Sequence, residues 1–354
     1  PLLSDISYHY ILHIWRESFF LSKFFENFFH TPLVPSIGYG KEECLMPIHA
    51  ALLPVLVLCV ILVNGWTDAP NAIATAVGSG ALSFRPAVAL AAVCNFAGVA
   101  LACLCFPAVA ATMENLVRFS SPQATQAGLC GALLAVILWG VAAWRFGLPT
   151  SESHALLAGL SGAALALGAD IQPSAWVAGG AGLLLSLPAG VVAGRAVCRG
   201  LGRIPHNPIQ GQRWAAALTA FLHGAQDGQK FLALLLMARG VSAARPPLTL
   251  LLLTACTMAL GTGLGGRRIV EKIGHELAHL TPTQGLAADL GTGVVLGICS
   301  ALGLPVSTSH AKVAAICGAS PHPKAGVVAQ LLLVWVLTFP SCMGLGYGFA
   351  LLLG

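Results

Sequence analysis

Long apolar segments follow one another from about residue 47 to the C-terminus, and short polar, glycine-rich or proline-containing stretches separate them. A helix crosses a bilayer with about 20 mostly apolar residues, and several of these segments reach that length while others are shorter. The segments are 50–63, 86–112, 126–144, 155–169, 174–194, 214–237, 247–264, 284–302, 311–320 and 325–353. The pattern predicts an all-α polytopic membrane protein with roughly ten to twelve membrane elements, in which the short segments form hairpin arms.

Composition supports the same class of protein. The chain is 56% apolar and only 9% charged, whereas about 25% of the residues of soluble domains are charged. The net charge of +5 is concentrated in the connections between apolar segments, so nucleic acid is not an expected partner. We therefore expect a multi-pass protein of the cell membrane, with the lipid bilayer as its surroundings.

Two polar motifs each occur twice, in the same order and at nearly the same separation. The first is Asn-Gly-Trp-Thr-Asp-Ala-Pro-Asn at 64–71 and His-Gly-Ala-Gln-Asp-Gly-Gln-Lys at 223–230; the second is Gly-Leu-Pro-Thr-Ser-Glu-Ser-His at 147–154 and Gly-Leu-Pro-Val-Ser-Thr-Ser-His at 303–310. Secondary transporters build a binding site near the bilayer midplane from matched polar interruptions in duplicated units. The duplication predicts two inverted-topology repeats with broken helices or re-entrant hairpins, and a carrier function.

The motifs divide the chain into parts. We predict a first transporter repeat at 46–194, a basic cytoplasmic linker at 195–213 and a second repeat at 214–354. The linker contains four arginines and no acidic residue, which favours the cytoplasmic side of the membrane. Residues 1–45 hold six of the 15 phenylalanines and three of the four tyrosines, unlike the rest of the chain. We expect 1–45 to be a non-native N-terminal extension, with a peripheral amphipathic anchor as the alternative.

The second motif has the features of an anion site. Its glycine ends one helix and its proline suits the first turn of another. A helix that begins at membrane depth presents free N–H groups and the positive end of its dipole, both of which attract anions. The hydroxyls of two facing tips would add donors for a tetrahedral oxyanion. The candidate residues are Thr150, Ser151, Ser153, Ser307, Thr308 and Ser309. The alternative is that these hydroxyls only cap helices or bond to the carbonyl oxygens four residues earlier.

The first motif places a carboxylate within an apolar segment in each half, at Asp68 and at Asp227. A charged side chain in the bilayer costs a few kcal/mol or more, so such residues are usually functional or paired. Pairing of Asp227 with Lys230 one helical turn away is the structural alternative. An anion beside two carboxylates would be repelled unless cations or protons neutralise them. Oxygen ligands for a cation are available from Asn64, Thr67, Asp68, Asn71, Gln226 and Asp227.

Both motif pairs, together with Asn95-Phe96-x-Gly98 and the central basic segment, resemble the inorganic phosphate transporter family over about 47–354. The resemblance implies a membrane carrier, built from inverted repeats and dimeric, that imports inorganic phosphate by symport with sodium ions or protons. It points to Asp68, Asn71 and Asp227 for the cation and to the serine-rich tips for phosphate. It implies no cofactor and no metal beyond the coupling cation.

The chain departs from the family pattern in the first motif. The family usually has Asn-Asp there, whereas this chain has Thr67-Asp68 and Gln226-Asp227, and Pro70 stands where a small residue is common. The identity and number of coupled cations are therefore left open. Roles in proton coupling are considered for Glu152, His154 and His310, since the ordinary pKa of histidine is about 6.5, and the alternative is that the histidines are only hydrogen-bonded. Lys230 is a further auxiliary candidate.

Two alternative functions remain at this point. The same site chemistry suits another oxyanion, such as sulfate or arsenate, or a metal–phosphate complex. The stretch His275-Glu276-Leu277-Ala278-His279 matches the zinc-protease pattern His-Glu-x-x-His, in which a helix presents two histidine ligands on one face, and Asp289 is a conceivable third ligand. The stretch lies on the amphipathic segment 267–280, which we expect to form an interfacial helix. Because this segment occurs in one half only, we expect no enzyme activity.

Overall fold

The computed structural model describes residues 48–241 and 246–354, and the predicted extension at 1–45 lies outside the described residues. Helices make up nearly all of the first half. They are α1 (Ile48–Thr67), α2 (Pro70–Gly78), α3 (Phe84–Cys105), α4 (Ala108–Glu114), α5 (Pro122–Arg145), α6 (Glu152–Leu167) and α7 (Pro173–Leu201). Two short strands, β1 (Val117–Arg118) and β2 (Asp170–Ile171), pair antiparallel with Val117 opposite Ile171.

The second half has a similar order of long and short helices, except that one continuous helix takes the place of α1 and α2. It contains α8 (Pro208–Arg239), α9 (Leu248–Leu264), α10 (Arg267–Glu271), a π-helical turn (Lys272–Glu276), α11 (Pro282–Ala301), α12 (Thr308–Ala319) and α13 (Ala325–Leu353). Helix α7 ends at Leu201 and α8 begins at Pro208, so much of the predicted linker at 195–213 is helical and residues 202–207 connect the halves.

Six stretches among the described residues are long and apolar enough to cross a membrane, and a seventh arises if α9 and the bent segment after it form one span. The bend in that pair is 66°. Helices α6 and α12 have 16 and 12 residues, which at about 1.5 Å per residue is less than the roughly 30 Å of a hydrocarbon core. They match the predicted hairpin arms, and the predicted class, an all-α polytopic membrane protein, is confirmed.

Packing between the halves is reciprocal. The arm α6 packs on α13, the last long helix of the other half, and the arm α12 packs on α7, the last long helix of the first half. In the same way α3 packs on α8, and α9 packs on α1. Because each of these contacts has a counterpart with the halves exchanged, the arrangement agrees with two repeats of inverted topology.

Glycines allow one of these crossings to be close. A Cβ added at Gly224 in α8 would lie 2.3 Å from the carbonyl oxygen of Asn95 in α3, and one added at Gly98 would lie 2.0 Å from that of Phe221. Small residues at helix interfaces in lipid let backbones approach in this way. The crossing brings the second copy of the first motif, in α8, against Asn95 of the first half.

The amphipathic segment at 267–280 is only partly helical, because α10 and the π-helical turn end at Glu276. Most of its charged side chains are exposed, while Ile273, Leu277 and Ala278 are fully buried and pack with Ala74 of α2. Protein side chains therefore cover the apolar face of the expected interfacial helix.

Candidate functional site

The two copies of the second motif fold identically. Gly147 and Gly303 have φ values of +66° and +67°, a left-handed conformation that glycine adopts without a steric penalty. Ser151 and Ser307 immediately precede the helices α6 and α12, and each accepts a hydrogen bond from the backbone N–H of the histidine three residues later at 3.2 Å. Two predicted phosphate ligands, Ser151 and Ser307, are thus helix N-caps in this structure.

The two tips, defined as 147–154 and 303–310, contact each other through reciprocal hydrogen bonds. Ser153 Oγ donates to the carbonyl oxygen of Val306 at 3.2 Å, and the Ser309 hydroxyl takes the equivalent position 3.0 Å from the carbonyl oxygen of Thr150. In the aligned motifs Ser153 corresponds to Ser309 and Thr150 to Val306. The tips therefore meet about an approximate two-fold axis.

The carboxylate of the first half is bound by the tip of the second half. Asp68 lies in the two-residue break between α1 and α2 and is 2% exposed. It accepts hydrogen bonds from Asn71 Nδ2 at 2.6 Å, from Thr308 Oγ1 at 3.1 Å and from Ser309 Oγ. Asn71 Nδ2 also donates to Ser309 Oγ at 2.8 Å. Four predicted site residues, two from each half, are thus in direct contact.

The carboxylate of the second half is bound by a lysine. Asp227 lies inside the continuous helix α8 and accepts from Lys230 Nζ at 2.6 Å and from Asn64 Nδ2 at 3.1 Å. Lys230 Nζ also reaches both tips, donating to Ser153 Oγ of the first at 2.6 Å and to the carbonyl oxygen of Val306 of the second at 2.5 Å. The structural alternative considered for Asp227, pairing with Lys230, is therefore present.

The two carboxylates approach each other around a histidine. One ligand atom each from Asp68, His223 and Asp227 lie within 4.8 Å of one another, and all three residues are buried. His223 Nδ1 lies 2.8 Å from Asn95 Oδ1, and its Nε2 lies 3.3 Å from Asp227 Oδ2. The arrangement offers two carboxylates and an imidazole to a small cation. His223 was not among the predicted site residues, although its place at the start of the second copy, opposite Asn64, is a signal for it.

Three predicted ligands point away from this cluster. Thr67 Oγ1 donates to Glu152 Oε1 at 2.5 Å, and Gln226 Oε1 accepts from the backbone N–H of Val306 at 3.4 Å. Thr150 Oγ1 accepts from Trp139 Nε1 at 3.1 Å. The oxygens of Thr67 and Gln226, proposed as cation ligands, and of Thr150, proposed for phosphate, are held by other partners in this structure.

The two tip histidines contact each other through their rings and form no hydrogen bond with each other. The rings of His154 and His310 lie 5.6 Å apart in an edge-to-face arrangement, and His310 also lies 4.0 Å from the ring of Trp335. Neither ring nitrogen of His310 has a hydrogen-bond partner among the described residues. These rings pack the tips together behind the serine hydroxyls.

A second buried ionic cluster was missed. Asp289 in α11 pairs with Lys312 in α12 and accepts from Thr75 Oγ1 at 2.5 Å, and Lys312 Nζ also donates to the carbonyl oxygen of Ala72 at 3.2 Å. Both charged side chains are at most 1% exposed. Ionisable residues within apolar segments usually indicate a functional or paired group. A comparison of the two repeats does not reveal this pair, because Leu133 and Leu156 of the first half correspond to Asp289 and Lys312.

The zinc-protease pattern does not form a metal site. Glu276 pairs with Lys272 at 2.8 Å on the surface, and the helix ends at Glu276 before His279 is reached. The two histidines therefore lack the regular helix that would present both on one face. Asp289, the conceivable third ligand, is paired with Lys312 instead.

Comparisons with known proteins agree with this geometry. A model of a family described as the phosphate transporter family matches residues 64–214 and 209–346. The chain is 32% identical over 327 residues to a probable low-affinity inorganic phosphate transporter of Bacillus subtilis (strain 168), which covers 85% of this chain and 97% of that protein. A protein of the same description from Rhizobium meliloti (strain 1021) is 31% identical over 304 residues, covering 78% and 88%.

A solved structure has the same fold. The sodium-dependent phosphate transporter superposes with a TM-score of 0.76 at 19% identity, covering 86% of this chain and 99% of that one. The likeness extends over both halves of the described fold.

Proposed function

The chain belongs to the phosphate transporter family, and we propose that it imports inorganic phosphate by symport with sodium ions or protons. It is a multi-pass protein of the plasma membrane, and its relatives and fold are those of transporters rather than enzymes. The observation that supports symport most strongly is the link between each buried carboxylate and the tip of the opposite half, which is direct for Asp68 and runs through Lys230 for Asp227.

Phosphate would bind where the two tips meet. The N-termini of α6 and α12 contribute N–H groups and the positive ends of their dipoles. The proposed donors to phosphate are the tip hydroxyls of Thr150, Ser151, Ser153, Ser307, Thr308 and Ser309. In the present arrangement these hydroxyls bond within the protein, so phosphate binding requires some of them to change partners.

Shared hydroxyls couple the cation to phosphate. Thr308 and Ser309 now donate to Asp68. A cation or proton on Asp68 would satisfy that carboxylate, release the two hydroxyls and remove the charge that repels phosphate. Each ligand then favours binding of the other, as symport requires.

Import by alternating access also requires unequal affinities in the two orientations of the carrier. Each tip packs on helices of the other half, so a movement of one half relative to the other separates the tips. Such a separation would break the reciprocal bonds Ser153–Val306 and Ser309–Thr150 and open the site to one side.

The same donors suit sulfate, arsenate or a metal–phosphate complex, which remain alternative substrates. The assembly into a homodimer also stays a prediction. Neither affects the proposed roles of the tips and carboxylates.

Uptake of radiolabelled phosphate into proteoliposomes tests the proposal, with sodium and pH gradients imposed separately. We expect phosphate to accumulate against its gradient under one of them, and unlabelled phosphate to compete better than sulfate. Absence of phosphate accumulation under both gradients would contradict the proposal, and stronger competition by sulfate would reassign the substrate.

A further inference from the structure

In the second half, three oxygen atoms surround one fixed positive charge. Lys230 Nζ lies 2.6 Å from both Asp227 Oδ1 and Ser153 Oγ, and 2.5 Å from the carbonyl oxygen of Val306. An ammonium group has three N–H donors, so these three acceptors satisfy it. Lys230 and Asp227 are each 1% exposed. The carboxylate of the second half therefore has a permanent, enclosed counter-ion.

The first half assembles the same kinds of oxygen without a fixed charge. Ser309 Oγ lies within hydrogen-bonding distance of Asp68 and of the carbonyl oxygen of Thr150. These three groups are the counterparts of the three acceptors around Lys230. The counterpart of Lys230 itself is Asn71, whose Nδ2 lies 2.6 Å from Asp68 Oδ1. An amide is uncharged, and no lysine or arginine of the described residues pairs with Asp68.

The first half also has an unused ligand atom. Asn71 is 2% exposed, and its Oδ1 has no hydrogen-bond partner among the described residues. Carboxylate, hydroxyl, carbonyl and amide oxygens are the ligands that hard cations take in proteins. The set in the first half therefore suits a metal cation better than it suits a proton, which needs the carboxylate alone.

We propose that the Lys230 ammonium is a resident cation, which fills in the second half the position that an exchangeable sodium ion takes in the first. The inference rests on the proposed symport function. It assigns a role in ion coupling to one residue of each half: Asn71 leaves the place open to sodium, and Lys230 keeps it permanently occupied. Because only the position in the first half can exchange its cation, fewer sodium ions move with each phosphate than if both positions bound sodium.

The variant Lys230→Asn gives the second half the residue of the first and so opens a second sodium place. We expect the initial rate of phosphate uptake into proteoliposomes to depend more steeply on sodium concentration in K230N than in the wild type, with choline replacing sodium at constant pH. The matched control Lys230→Met offers neither charge nor oxygen ligand, and we expect it to lose uptake at every sodium concentration. An unchanged sodium dependence in K230N, or wild-type uptake in K230M, would overturn the proposal.

The reverse exchange, Asn71→Lys, places a fixed cation in the first half. We expect N71K to lose the stimulation of uptake by sodium. We also expect sodium to raise the thermal unfolding temperature of the detergent-purified wild type and K230N but not of N71K, because ligands stabilise only the fold that binds them. An equal sodium shift in N71K and the wild type would refute the resident-cation model.

The unfolding measurement separates this inference from the proposed function. A wild-type protein that transports no phosphate but shows the sodium shift, which N71K lacks, refutes phosphate symport and supports the cation assignment. A wild type whose uptake follows the pH gradient and whose unfolding temperature is indifferent to sodium refutes the sodium assignment while phosphate transport stands.

Discussion

The two copies of the first motif hold equivalent carboxylates in different surroundings. Asp68 lies in a break between helices, where Pro70 lacks the N–H that would continue the helix, and its ligands are an amide and two hydroxyls. Asp227 lies inside the continuous helix α8 and is bound by Lys230. The difference shows that equivalent carboxylates of a duplicated fold can be neutralised in two ways. One half uses the fixed charge of a lysine, and the other leaves its carboxylate available to an exchangeable cation.

The largest difference between the halves is expected when Asp227 is neutralised. Asp227→Asn leaves Lys230 buried without its partner, and removal of one member of a buried ion pair costs about 3–5 kcal/mol. We expect D227N to lose phosphate uptake and to unfold at a clearly lower temperature than the wild type. The double variant D227N/K230Q removes both charges and should recover most of that stability. A D227N protein with wild-type unfolding and uptake would contradict the role of this pair.

The glycines of the tips give a smaller, graded effect. A left-handed conformation costs a non-glycine residue about 1–2 kcal/mol, so Gly147→Ala and Gly303→Ala should both destabilise the protein. G303A should cost more, because its Cβ would lie 3.1 Å from the carbonyl oxygen of Ala108, whereas the nearest atom at Gly147 is 3.9 Å away. Denaturant or thermal unfolding of the two variants measures the order, and a more damaging G147A would contradict it.

The capping serines should respond alike in the two halves. Loss of an N-cap hydroxyl costs about 1 kcal/mol, so Ser151→Ala and Ser307→Ala should lower stability slightly and equally. Because these hydroxyls belong to the proposed phosphate site, both variants should raise the KM for phosphate more than that for the coupling cation. Uptake kinetics with each ligand varied in turn tests this, and the reverse ordering would assign the tips to the cation.

The smallest effect is expected outside both half-sites. Glu276→Gln removes an exposed ion pair with Lys272, and exposed pairs contribute about 0–1 kcal/mol. We expect wild-type phosphate uptake and no change in the zinc content of the purified protein. Loss of bound zinc together with loss of uptake would reopen the role of the His275–His279 segment.

The sequence was informative where the two halves repeat each other and less so where they differ. The duplicated motifs predicted that two interrupted segments carry the polar residues, and the structure brings Asp68, Asp227, Ser153 and Ser309 into one cluster. The partner of each group was not predictable, because the contacts Lys230–Val306 and Ser309–Thr150 join residues 76 and 159 positions apart. No local pattern reports such contacts.

Other features escaped prediction for a related reason. In helices that are apolar on all sides, the spacing of apolar residues does not show which face is buried, so the pairing of Asp289 with Lys312 left no periodic signal. The amphipathic segment at 267–280 misled in the opposite direction. The spacing of its apolar residues correctly predicts that one face is shielded from water. It does not show whether lipid or protein, here Ala74 and its neighbours, shields that face.

The most direct test of the account is phosphate accumulation by Asp68→Asn in proteoliposomes, with the wild type measured under the same sodium and pH gradients. Asp68 has no lysine to leave unpaired, so we predict that D68N reaches the membrane and unfolds close to the wild-type temperature but accumulates no phosphate. Accumulation by D68N at the wild-type rate would contradict the claim that this carboxylate receives the driving cation.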